Sequence, residues 1–143
     1  MKSNEKKKIL ILCTGNSCRS QMAAGFARQS GWETHSAGTH PELSVNPFAL
    51  NVMAEIGIDI SYHTPKCVSE YLNENFYLIA TVCDNARETC PILIGNCEYQ
   101  IHHGFEDPAN TIGSDEEITK MYRKIRDEIR VWVDIISADY LNN

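Results

Sequence analysis

Two groups of residues in this sequence have types and spacings suited to chemistry. The first is Cys13 with Arg19 and Ser20, in the stretch ILILCTGNSCRS. Cys13 ends an aliphatic run, and Thr14, Gly15, Asn16, Ser17 and Cys18 fill the interval before the arginine. A strand–loop–helix unit of this kind turns several backbone N–H groups toward one point, and the helix N-terminus adds partial positive charge. Gly15 permits close backbone approach, and Asn16 tolerates a left-handed conformation. Arg19 supplies a planar fork that matches a tetrahedral oxyanion. The pattern predicts an anion nest over residues 14–20 with Cys13 at its base as the nucleophile. A free thiol, with pKa about 8.5, is only a few per cent ionised near neutrality. Lowering that pKa by about two units favours the thiolate by roughly 3 kcal/mol, which backbone donors, Arg19 and the Ser20 hydroxyl can supply.

The second is the set of six cysteines, at 13, 18, 67, 83, 90 and 97, of which Cys83 closes an apolar run.

The elements that must position these residues alternate in type. KILILC reads as a buried parallel strand, with no polar alternation. Residues 20–30 follow as a helix with Met22, Ala23, Phe26 and Ala27 on one face and Gly31 as its stop. WETHSAG is a second strand, and Asn46-Pro47 is an N-cap and first helical position. Ala49, Leu50, Met53 and Ile56 line that helix, which Gly57 ends. Residues 67–73 read as a short helix, FYLIATVC as a strong buried strand and YQIHH as a weaker one. Ser114 and Glu117 form a capping box, followed by an apolar stripe from Ile118 to Ile136. The expected fold is α/β: a single three-layer α/β/α domain over residues 1–143 with a central four-stranded parallel sheet. Ligands in such sheets sit at the carboxyl ends of the strands, where Cys13, Cys83 and the segment after residue 103 fall.

Composition narrows the function. The chain has 143 residues, 43% hydrophobic and 22% charged, with a net charge of −6. A broad nucleic-acid surface is excluded by that balance, so any anion site is local. No apolar run reaches the length of a membrane span. The opening MKSNEKKK reads as a solvated lead-in to the first strand, and the expected location is cytoplasmic. In a reducing compartment six cysteines suggest redox chemistry or metal rather than static disulfides, and the absence of a C-x-x-C pair argues against structural zinc. His102 and His103, adjacent on a strand, point to opposite faces and are not read as metal ligands. No bound metal or cofactor is expected.

The C-x5-R-S loop from Cys13 to Ser20 resembles that of the low-molecular-weight protein tyrosine phosphatases. CTGNSCRSQMA resembles more specifically the thioredoxin-coupled arsenate reductases built on that fold. The similarity continues through SAG, GIDIS, TVCDNARETCP, GFEDPA and RDEI, over nearly the whole chain. The resemblance implies that Cys13 attacks arsenic, that Asp107 protonates the leaving hydroxide, and that loop N–H groups and Arg19 hold the oxygens. It further implies that Cys83 attacks the Cys13–arsenic adduct, releasing arsenite and leaving a Cys13–Cys83 disulfide. Cys90 then attacks Cys83, and thioredoxin reduces the Cys83–Cys90 disulfide as external reductant.

Two positions depart from the family pattern. Many members carry carboxylates that serve a potassium site where this chain has Ala24 and Lys66. The expectation is that the Lys66 ammonium takes the place of the cation and hydrogen-bonds Asn16 and Ser36 behind the nest. Cys18 is expected to pack behind the loop, and Cys67 and Cys97 to be incidental thiols. Two other functions are compatible with the same residues. A tyrosine phosphatase would use Cys13 and Asp107 through a phosphocysteine, but Ala109, Asn110 and Thr111 follow Asp107-Pro108 where that class places tyrosines. A non-catalytic oxyanion or redox sensor would leave Asp107 without a role.

Overall fold

The computed structural model describes residues 6–82 and 96–142. Four parallel strands form one sheet in the order β2-β1-β3-β4: β1 is Lys8–Cys13, β2 Glu33–Gly38, β3 Phe76–Thr81 and β4 Cys97–His102. β1 and β3 are the interior strands, and β1 is apolar from Ile9 to Cys13. Ile9, Leu10, Ile11 and Leu12 are all buried, so both faces of the strand are covered. Its register runs Leu12 against Ala37 of β2 and Thr81 of β3, which brings the strand ends out together beneath Cys13. β4 is an edge strand, and its exposed Glu98, Tyr99 and Gln100 explain why its sequence signal is weak.

Helix α1, Arg19–Ser30, begins one residue earlier than its apolar pattern suggests and stops at Gly31, whose φ of 111° is left-handed. Helix α2, Pro47–Glu55, is capped by the Asn46 side chain, which accepts from Phe48 N. Helix α3, Asp115–Ile136, starts at the full Ser114–Glu117 capping box and passes into a π-turn over Ser137–Leu141. The short helix expected at 67–73 is a single 3-10 turn, Val68–Tyr71. Gly57, at φ 82°, follows the Ile56 C-cap of α2. The three helices contact one another, and Arg126 of α3 ties that helix to α2: its guanidinium donates to Val52 O at 2.9 Å and to Glu55 Oε1 at 3.1 Å. Cys83 and Cys90, and the strand end expected at Cys83, lie outside the described residues.

Candidate active site

The loop between β1 and α1 closes around the Cys13 thiol. Asn16 takes the left-handed conformation at φ 51°, the single non-glycine residue with positive φ among those described. That bend points Asn16 N back at Cys13 Sγ, 3.1 Å away. Ser20 Oγ lies 2.8 Å from the same sulfur. The Asn16 Nδ2 amide donates to Ser20 Oγ at 2.7 Å, so the Ser20 hydroxyl hydrogen is left free for the sulfur. A sulfur facing an N–H and an O–H donor is in an environment that favours its ionised form.

Asn16 is the keystone of the loop. It is fully buried, and each of its polar atoms has a partner. Besides the bonds above, Nδ2 donates to Ser36 Oγ at 3.1 Å, Oδ1 accepts from the Lys66 backbone N at 2.9 Å, and the main-chain oxygen accepts from Gln21 Nε2 at 2.9 Å. The loop also leans on the end of β2. A Cβ on Gly38 would stand 2.4 Å from Thr14 O, so only glycine allows that approach. His40 N donates to Thr14 O and Glu42 N to Gly15 O, both at 2.9 Å, which fastens the next segment along the mouth of the loop.

Cys13, Thr14, Gly15, Asn16, Ser17, Cys18 and Arg19 line one cavity of about 260 Å³, together with Asp107 and Ala109 from the far wall and His40 and Glu42 at the rim. No Phe, Tyr or Trp lines it among the described residues. Ser20 serves from beneath, through the sulfur. Arg19 Nη1 donates to Phe105 O at 3.0 Å, and Nη2 approaches Asp107 Oδ2 at 3.4 Å. Its Nε is buried without a hydrogen-bond partner among the described residues. Asp107 Oδ1 accepts from Ala109 N at 3.0 Å, which fixes the carboxyl at the start of the short turn Pro108–Asn110.

Cys18 packs behind the loop as expected, 3.4 Å from Tyr122 Oη of α3, and burial pushes its thiol pKa up. Lys66 differs from expectation. Its ammonium reaches Thr64 Oγ1 at 3.3 Å, and the group that meets Asn16 is the Lys66 backbone N–H. The reason is geometric: a main-chain bridge between Gly38 and Cys67 sets Lys66 alongside β2, with its peptide rather than its side chain facing the loop. His40, Glu42 and Gln21 are site neighbours that sequence reasoning missed. The pairing of residues 40 and 42 with the loop carbonyls is made by backbone, which leaves no mark on residue type.

The comparisons with known proteins agree with this geometry. Residues 8–141 match the model of the low molecular weight phosphotyrosine protein phosphatase family. An arsenate reductase of Halalkalibacterium halodurans is 45% identical over 127 residues, 87% of this chain and 90% of the relative. One from Staphylococcus aureus is 41% identical over 132 residues, 90% of this chain and 95% of the relative. A solved arsenate reductase in the phosphate binding state superposes with a TM-score of 0.80 at 28% identity, covering 94% of this chain and 98% of the other. With its matched residues spanning both β1 and the end of α3, this chain belongs to the low molecular weight phosphotyrosine protein phosphatase family.

Proposed function

We propose that this protein is an arsenate reductase, and the observation that carries the reading is Cys13 Sγ, met by Asn16 N and Ser20 Oγ, in one cavity with Arg19 and Asp107. The similarity to arsenate reductases at 41–45% identity supports it. The Cys13 thiolate attacks arsenic, forming an S–As bond while the departing oxygen takes a proton from Asp107. Loop N–H groups from Thr14 to Ser20 and the Arg19 fork hold the remaining oxygens as charge redistributes.

The reduction itself needs two electrons, and two thiols supply them. Cys83 attacks Cys13 Sγ; the S–As bond breaks with its electron pair passing to arsenic, which leaves as arsenite, and a Cys13–Cys83 disulfide remains. Cys90 attacks Cys83 in turn and frees Cys13, and thioredoxin reduces the Cys83–Cys90 disulfide by the same exchange. Among the described residues the cavity has no aromatic wall, which supports a small unsubstituted oxyanion over an aryl phosphate as the main substrate. Weak hydrolysis of aryl phosphates through a phosphocysteine is expected as a side activity of the same nucleophile. The test is a pair of assays on the wild type: multiple turnovers of arsenate to arsenite with thioredoxin and its reducing system, against aryl-phosphate hydrolysis. Efficient phosphatase turnover with no arsenite would transfer the protein to the phosphatase reading, and neither activity would favour a sensor.

A further inference from the structure

Behind the loop runs a file of hydrogen bonds that the proposed chemistry does not use. Gln21 Nε2 donates to Asn16 O at 2.9 Å. His63 Nδ1 stands 2.8 Å from Gln21 Oε1, and Arg28 Nη1 stands 2.6 Å from His63 Nε2. An arginine can only donate, so His63 Nε2 is the acceptor and the ring hydrogen sits on Nδ1. The Gln21 oxygen therefore accepts, and its amide N–H faces Asn16 O. Arg28 at the surface thus fixes the direction of every hydrogen in the file down to the loop. Arg28 is itself held, with Nη2 donating to Thr34 O at 3.4 Å and its guanidinium 5.8 Å from the centre of the Tyr62 ring.

The file works only with a neutral imidazole, because a second ring hydrogen would confront Arg28. Burial and the Arg28 charge push the His63 pKa down to about 4, against an opposing pull from Asp59. The other charged or titratable groups around it are Lys66, His35 and Tyr71, which line the same cavity of about 250 Å³, and Tyr62, whose ring packs edge-on at 4.7 Å.

Asn16 O belongs to the peptide between residues 16 and 17. That peptide is trans, so its C=O and N–H point in opposite directions. A carbonyl drawn back to buried Gln21 sends the Ser17 N–H forward, toward the cavity that Ser17 lines. Fixing that peptide also holds the left-handed bend that aims Asn16 N at Cys13 Sγ.

We infer that Gln21, His63 and Arg28 are positioning residues that hold the Asn16–Ser17 peptide in its anion-binding orientation. The inference rests on the nest reading above and deepens it. The test measures Cys13 alkylation by iodoacetamide across pH, with peptide mass spectrometry to separate Cys13 from the other thiols, and protection of Cys13 by inorganic phosphate. His63→Phe and Gln21→Met should slow alkylation at neutral pH and weaken phosphate protection, each by about tenfold, the effect of about one pKa unit at the sulfur. His63→Gln carries both an acceptor and a donor and should restore the wild-type profile. If Gln21→Met fails to fold, His63→Phe, at the outer part of the file, decides alone. A folded His63→Phe with wild-type alkylation and protection would overturn the inference. A wild type that phosphate does not protect would instead refute the nest itself.

Discussion

Cys13, Arg19 and Asp107 meet in one cavity although 94 residues separate the first from the last. At this scale the acid gives a sharp prediction. Asp107→Asn keeps the shape of the turn and its acceptor for Ala109 N, but has no proton to give. The single-turnover rate of arsenite formation should fall by about 10²–10⁴ while phosphate protection of Cys13 stays near wild type. A near-normal rate would remove Asp107 from the mechanism. His63 gives a second prediction, in stability. Its pKa is about 4 in the fold against 6.5 ordinarily, so between those values the unfolded chain binds the extra proton. Stability therefore rises with pH through that window and is lost as pH falls from 6.5 toward 4. The lowered carboxyls of Glu55 and Asp59 act at lower pH, because their ordinary values are 4.5 and 3.8. Urea midpoints at pH 6.5 and 5 should fall further in the wild type than in His63→Gln; parallel falls would exclude His63 as the cause. The left-handed bend at Asn16 and the convergence of Cys13 and Arg19 on one cavity were legible in the sequence because they belong to one local loop. The Gln21–His63–Arg28 file was not, since it depends on the packing of residue 63 against α1, which no spacing in the chain reveals.

At the scale of elements, the unbroken apolar run of β1, the Asn46-Pro47 start of α2 and the Ser114–Glu117 box of α3 were readable because each is a local signal with a local cause. The edge strand β4 was read weakly because one-sided pairing relaxes its need for apolar residues. The support of the loop by the end of β2 was invisible, because it is a contact between two backbones. Gly38 tests that contact. A Cβ there would lie 2.4 Å from Thr14 O, a backbone atom with little room to give. Gly38→Ala should cost about 1–3 kcal/mol of stability and weaken phosphate protection of Cys13, because relief must come from moving the loop. Unchanged urea midpoint and unchanged protection would show that the loop does not depend on β2 for its shape.

At the scale of the whole molecule, an acidic chain places two of its cationic side chains together, Lys66 and Arg28. The cavity behind the loop is lined by Lys66 and Arg28 and by no Asp or Glu among the described residues. Two cations disfavour a third by Coulomb repulsion. Melting temperature and arsenate turnover should therefore be alike in sodium and potassium chloride at matched ionic strength, and a potassium-specific gain would refute this. The central claim, that one Cys13 nucleophile hands arsenic's two-electron reduction to Cys83, is tested most directly by the reduced Cys90→Ser variant. Mixed with arsenate and no external reductant, it should release one arsenite per molecule and stop, with peptide mapping finding a Cys13–Cys83 disulfide. No arsenite, or a disulfide that instead engages Cys67 or Cys97, would contradict it.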